Sequence, residues 1–98
     1  MAQKQPGQYE LTFVLIEKDA ASLEGIREEI KGNLVKRNVQ INKADIIGNK
    51  PLFHEKEHHK RGNFNCWALT APSESIQQVN FDLNLNMNVL KSMIVKTG

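Results

Sequence analysis

Phe64-Asn65-Cys66-Trp67-Ala68-Leu69-Thr70-Ala71 is the stretch that decides how this chain folds. Side chains reverse direction at every step of a strand, so Trp67 and Leu69 share one side, with Phe64, Cys66 and Ala68 on the other. Both sides are apolar, which predicts a central strand with partners on both flanks. Just upstream, Gly62-Asn63 closes an intensely polar run, His54-Glu55-Lys56-Glu57-His58-His59-Lys60-Arg61, expected to be a solvated hairpin tip. Gly48-Asn49-Lys50-Pro51 ahead of it reads as a turn signal. Before that, Val39-Gln40-Ile41-Asn42 alternates and Ile46-Ile47 resumes out of frame. One strand with a bulge or bend near Lys43-Ala44 explains the shift. No helical pattern separates these two strands, so they are expected to pair antiparallel.

Further out on the N-terminal side, Tyr9-Glu10-Leu11-Thr12-Phe13-Val14-Leu15 alternates, with Tyr9, Leu11, Phe13 and Leu15 on one face of a half-buried strand. Leu23, Ile26, Ile30 and Leu34 then recur at helical spacing, which predicts a helix over 20–37. Asp19 or Ser22 is the expected cap and Asn38 the stop. On the C-terminal side, Pro72-Ser73 opens a second helix along Ile76, Val79 and Leu83, with Ser73 as the expected cap. Asn84, Asn86 and Asn88 end it, and Val89–Lys96 is the last strand. The order strand, helix, strand, strand, helix, strand predicts an α+β, ferredoxin-like sandwich: a four-stranded antiparallel sheet with two helices on one face. The opposite face is then open, and Glu10, Thr12 and Val14 point into it. Residues 1–8, polar and carrying Pro6 and Gly7, are expected to be a flexible tail on a single domain over 9–98.

Composition narrows the function. The chain has 98 residues, 40% hydrophobic and 24% charged, enough for one core without staples. Thirteen Lys+Arg oppose 11 Asp+Glu, a net charge of +2, too mild for an independent electrostatic nucleic-acid clamp. Cys66 is the sole cysteine, so no internal disulfide forms, and a reducing, intracellular setting is expected. No apolar run approaches the length of a membrane helix, and Met1–Gly7 lacks the apolar stretch of a signal peptide.

Enzyme chemistry is not expected. His54, His58, His59 and Cys66 offer four potential metal ligands, yet only His54 and His58 have zinc-like spacing and Cys66 sits mid-strand. We read them as hairpin imidazoles, not a metal site. Cys66 lies among apolar residues, where a thiol is inert. Gly48 and Gly62 are single turn glycines, not a phosphate loop, so no cofactor is expected. Nucleic-acid contact is the stronger reading. Lys43, Lys50, Lys56, Lys60 and Arg61 fall on the second strand and its hairpin, and Lys91 and Lys96 on the last strand. The RNA-recognition motif has this strand order, but Arg61-Gly62-Asn63-Phe64-Asn65-Cys66-Trp67-Ala68 puts Asn63, Asn65 and Ala68 where its stacking aromatics belong. Any RNA contact should therefore be to phosphate and shape.

The terminal strands carry a closer likeness. Tyr9–Leu15 and Asn88-Val89-Leu90-Lys91-Ser92-Met93-Ile94-Val95-Lys96 resemble the first and last strands of the bacterial small-subunit ribosomal protein S-six family. Ile47-Gly48-Asn49-Lys50-Pro51-Leu52 is similar to that family's Leu-Gly-x-Arg-x-Leu segment, and Gly62 and Pro72 fall at its spacings. The chain departs from the family at Gln8, at Phe53-His54-Glu55-Lys56 and at Asn84 and Asn86, so it resembles a divergent member. The resemblance implies a non-catalytic component of the small ribosomal subunit. It would bind the central domain of the ribosomal RNA together with a second small basic protein, S-eighteen. It also points to Lys50, Lys91 and Lys96 as RNA contacts. Lys56, Lys60 and Arg61 of the hairpin are second candidates, chosen by charge and not by the family pattern. The reading from a different class is a non-ribosomal, oligomerising or ligand-sensing module that uses the open sheet face.

Overall fold

The computed structural model describes residues 6–56 and 59–97, without the side chains of 53–56. Its elements run β1 (Gly7–Leu15), α1 (Ala20–Lys36), β2 (Gln40–Lys56), β3 (His59–Ala71), α2 (Ser73–Leu85) and β4 (Val89–Lys96). The sheet order is β2-β3-β1-β4, antiparallel throughout. The expected ferredoxin-like architecture is the observed one. β3, apolar on both faces, is flanked by β2 and β1 as a central strand must be. Its register with β1 is unbroken from Gly7↔Ala71 to Leu15↔Asn63.

The alternation of β1 determines where the core forms. Tyr9, Leu11, Phe13 and Leu15 share one face with Trp67 and Leu69 of β3. Leu23, Ile26, Ile30 and Leu34 of α1 and Val79 and Leu83 of α2 close over that face as one cluster. Phe13 and Trp67 meet edge to face, with ring centroids 4.8 Å apart and planes at 90°. Arg37 at the end of α1 clamps Asp82 of α2 through two bonds, Nε to Oδ2 at 3.0 Å and Nη2 to Oδ1 at 3.2 Å. Hydrogen bonding to Asp82, and then its charge, raise the guanidinium above its ordinary pKa.

Helix ends follow local chemistry. Asp19 caps α1, its carboxylate accepting from the Ser22 hydroxyl at 2.7 Å and the Ser22 amide at 3.1 Å. Those bonds, the hydroxyl's first, hold the Asp19 carboxyl below the usual range. Asn38, at φ 63, takes the left-handed position after α1. The amides of Asn38 and Val39 return to the carbonyls of Val35 and Leu34, a Schellman closure that ends the helix as expected. The expected Ser73 cap is corrected: Pro72 occupies the cap position without a side-chain hydrogen bond, and Ser73 is the first helical residue. Proline's fixed φ turns the chain into the helix there in place of a hydroxyl.

The largest departure from the sequence expectation is the β2–β3 hairpin. Gly48-Asn49-Lys50-Pro51 is no turn. β3 supplies a cross-strand partner to each of the four, from Gly48↔Phe64 to Pro51↔Arg61, and β2 continues to Lys56. Gly48, at φ 114, absorbs a register shift that a residue with a Cβ would resist. A second shift between Ile41 and Lys43 is the bend expected near Lys43-Ala44. Likewise, His59, Lys60 and Arg61 belong to strand β3 and not to a tip. Residues 57 and 58, with the His54 side chain and residues 1–5, lie outside the described residues, while Gly7 and Gln8, expected in the tail, belong to β1 and pair with Ala71 and Thr70.

Gly62 stands where strand and neighbour touch. A Cβ there would overlap Cγ1 of Val14 and sit 3.2 Å from the Leu15 carbonyl oxygen. Val14 is β-branched and 3% exposed, so it cannot swing aside cheaply. Gly62→Ala is expected to cost about 1–3 kcal/mol from overpacking. Urea unfolding should show this as a lower midpoint with unchanged slope.

Candidate nucleic-acid interface

The two faces of the sheet have different fates. The helices cover one; Glu10, Thr12 and Val14 of β1 mark the other, together with Phe64, Cys66 and Ala68 of β3 and Lys91, Met93 and Val95 of β4. This open face has a weakly polar centre. Thr12 Oγ1 donates to Cys66 Sγ at 3.9 Å, and Met93 and Val95 are 53% and 46% exposed. Burial pushes the Cys66 thiol up, outweighing the hydrogen bond from Thr12, so it stays protonated and unreactive at neutral pH. Val14 also points to this side, as its place in the alternation requires, but Gly62 lets neighbouring chain close over it.

The lysines are sorted by register. Lys50 lies opposite Gly62, and Lys91 opposite Val14, so both stand exposed on the open face. Three strand spacings and a two-residue offset separate them, roughly 16 Å between backbones. Lys60, exposed and two residues from Gly62 along β3, extends the same face toward the hairpin. Lys50, Lys60 and Lys91 therefore ring one end of the sheet.

The other candidates fall elsewhere. Lys96 lies opposite Tyr9, on the helix-covered side and at the far end of β4. The five-residue step from Lys91 to Lys96 is odd, and an odd step along a strand changes face. Arg61 is on the helix side too, opposite Pro51, and it is engaged. Its Nε donates to Asn49 Oδ1 at 2.6 Å, and Asn49 in turn donates to Glu17 at 2.9 Å. Lys56 has its backbone opposite His59, with its side chain outside the described residues. Lys43 is tied to Asp45 at 3.5 Å.

Among the described residues, no three His, Cys, Asp or Glu side chains gather around a metal-sized site. His59 and Cys66 are seven residues apart in one strand, about 23 Å, and cannot share an ion. The described residues contain no helix long and apolar enough to cross a membrane.

One cationic group escaped the sequence reading. Arg27 of α1 reaches over the sheet, where its Nε donates to Asn65 Oδ1 at 2.9 Å and its Nη2 to Asn63 Oδ1 at 2.8 Å. Asn63 and Asn65 share the Trp67 side of β3 and are 8% and 0% exposed. They are core-side polar groups, not residues of an RNA-facing platform. The available signal was their parity with Trp67: two buried amides demand partners, and a basic residue on the covering helix is the natural donor.

Comparison with known proteins agrees with the fold. A crystal structure of 30S ribosomal protein S6 from Thermotoga maritima superimposes with a TM-score of 0.86, covering 95% of this chain and 89% of that one. Sequence identity is 14%, so the superposition speaks for the fold alone. The sequence profile of the family described as ribosomal protein S6 matches residues 8–96, nearly the whole chain and the span from β1 through β4. With its strand order, its helix placement and that match, the chain belongs to the ribosomal protein S6 family, a structural and non-enzymatic component of the small ribosomal subunit.

Proposed function

We propose that this protein binds the central domain of small-subunit ribosomal RNA, together with ribosomal protein S-eighteen, through the basic end of its open sheet face. The observation carrying the reading is that Lys50 and Lys91 flank that end, exposed and, among the described residues, free of the ion pairing that occupies Lys43. Lys60 adds a third charge beside them. Point charges on a rigid sheet suit phosphate contacts, which fix register without reading bases. A chain of net charge +2 supplies few such contacts, and a more basic partner supplies the rest of the attraction.

The test is co-sedimentation of the tagged, full-length chain with small ribosomal subunits across a salt series. Association is expected, with log affinity falling by about 0.7–0.9 per neutralised phosphate per tenfold salt. Two to four phosphates should be counted for the lysine cluster alone. Sedimentation as a stable homodimer that ignores ribosomal subunits would replace this reading with an oligomerising module, whose interface would be Met93 and Val95 on the same face.

A further inference from the structure

A second surface lies on the other side of the sheet, at the β2 edge. β2 is outermost in the order β2-β3-β1-β4, so one row of its backbone N–H and C=O groups has no strand partner among the described residues. Between the register shifts at Ile41/Lys43 and Ile46/Gly48, the stretch 43–46 runs regularly against β3. On its open-face side, Lys43 and Asp45 neutralise each other at 3.5 Å. On its helix side stand Ala44, opposite Trp67, and Ile46, opposite Asn65. The helices stop short of this strip: Ile46 is 56% exposed.

Above the strip stands Arg27. The two asparagines hold its guanidinium through Nε and Nη2, and Asn65 is itself anchored by Nδ2 donating to the Asn63 carbonyl and to Asn63 Oδ1, each at 3.1 Å. A guanidinium has five N–H donors, and these bonds use two. Both acceptors are neutral amides, and among the described residues no carboxylate pairs with Arg27. A half-buried cation is thus oriented in advance, with donors to spare, beside an exposed isoleucine and an unpaired strand edge. One turn further along α1, Lys31 lies 5.7 Å from the centre of the Trp67 ring and borders the same strip.

We propose that the β2 edge over residues 43–47 takes up an extended polypeptide segment as an added strand, whose apolar side chains cover Ala44 and Ile46 and whose carboxylate pairs with Arg27. Strand addition supplies affinity through the backbone, while alternate side chains supply specificity. The carboxylate meets a fork that fits it bidentately. Charge favours polypeptide over RNA. Glu17, in the loop before α1 and accepting from Asn49 of β2, and Glu24 on α1 would repel a run of phosphates, while Asp45 and Glu28 are occupied by Lys43 and Lys31. The surface is on the opposite side of the sheet from Lys50 and Lys91, so it stands or falls apart from the RNA reading.

The test titrates the isotope-labelled full-length chain with the capped peptide Lys-Val-Thr-Glu-Thr-Val-Lys, whose valines and glutamate share one face when extended. Amide shifts confined to residues 43–47, with movement of the Arg27 Nε–H resonance, are expected. Replacing the peptide's glutamate by glutamine should weaken binding about tenfold, the size of one lost charge-assisted pair. Arg27→Gln should erase the difference between the two peptides, and Ile46→Asp should abolish the shifts. The peptide exchange probes the contact without altering the fold, so it decides even if Arg27→Gln unfolds. Absence of shifts at 43–47, or equal affinity for the two peptides, overturns the proposal. So does an Arg27 resonance that responds to a uridine oligonucleotide and not to peptide.

Discussion

Trp67→Ala is expected to remove about 3–5 kcal/mol of stability, the range for deleting a large buried aromatic. Trp67 is 1% exposed and central in β3, beneath α1 and against the edge of Phe13. The truncation leaves a cavity that neither the regular β1–β3 ladder nor the helix above can collapse to fill. Against a total of roughly 5–15 kcal/mol for a domain of this size, that loss puts folding at the margin at body temperature. The melting temperature should fall by about 15–25 °C in calorimetry. Trp67→Phe separates packing from polarity. The indole Nε1 is buried with no acceptor among the described residues, so its loss abandons no hydrogen bond. The phenylalanine variant should lose about 1–2 kcal/mol, for the smaller ring and the weaker attraction to the Lys31 ammonium. Equal losses in the two variants would show that the aromatic packing is not what holds this face.

The double variant Lys50→Glu, Lys91→Glu is expected to cut association with small subunits by about tenfold or more at physiological salt. Both side chains are exposed and neither takes part in a described hydrogen bond or ion pair, so the melting temperature should stay within a few degrees. The salt slope should flatten by about 0.7–0.9 per residue replaced, because each lysine stops displacing a counterion. Lys96→Glu is the contrasting case. It sits on the other side of the sheet at the opposite end, and its effect should be below about twofold unless RNA wraps both faces. Wild-type incorporation of the double variant would remove this end of the sheet from the RNA interface.

Reading ahead from residues to fold worked where the signal is local. The odd positions Tyr9 to Leu15 and the stripe Leu23, Ile26, Ile30 and Leu34 each announce their element over a single short window, and each packs on the side its period predicts. The hairpin was misjudged for the converse reason. Gly48 and Pro51 carry turn chemistry, but turn chemistry expresses itself only where no partner strand offers hydrogen bonds, and β3 offers them through Arg61. The candidate site divides in the same way. That Lys91 and Lys96 lie on opposite faces was legible in their odd spacing. That Lys50 joins Lys91 depends on bulges in two different strands, and no window contains both.

The sequence by itself determined the six elements, their order and the apolar faces that meet, and hence the sandwich. Those follow from periods of two and 3.6 residues, which are properties of neighbouring positions. Only the tertiary structure decided which charges stand together. Asn63 and Asn65 look like failed stacking positions until Arg27, some 36 and 38 residues earlier, is seen to bind them. Long-range register sets such encounters, and register is fixed by the pairing energy of whole strands, so a group's chemical role is assigned only once the sheet is built.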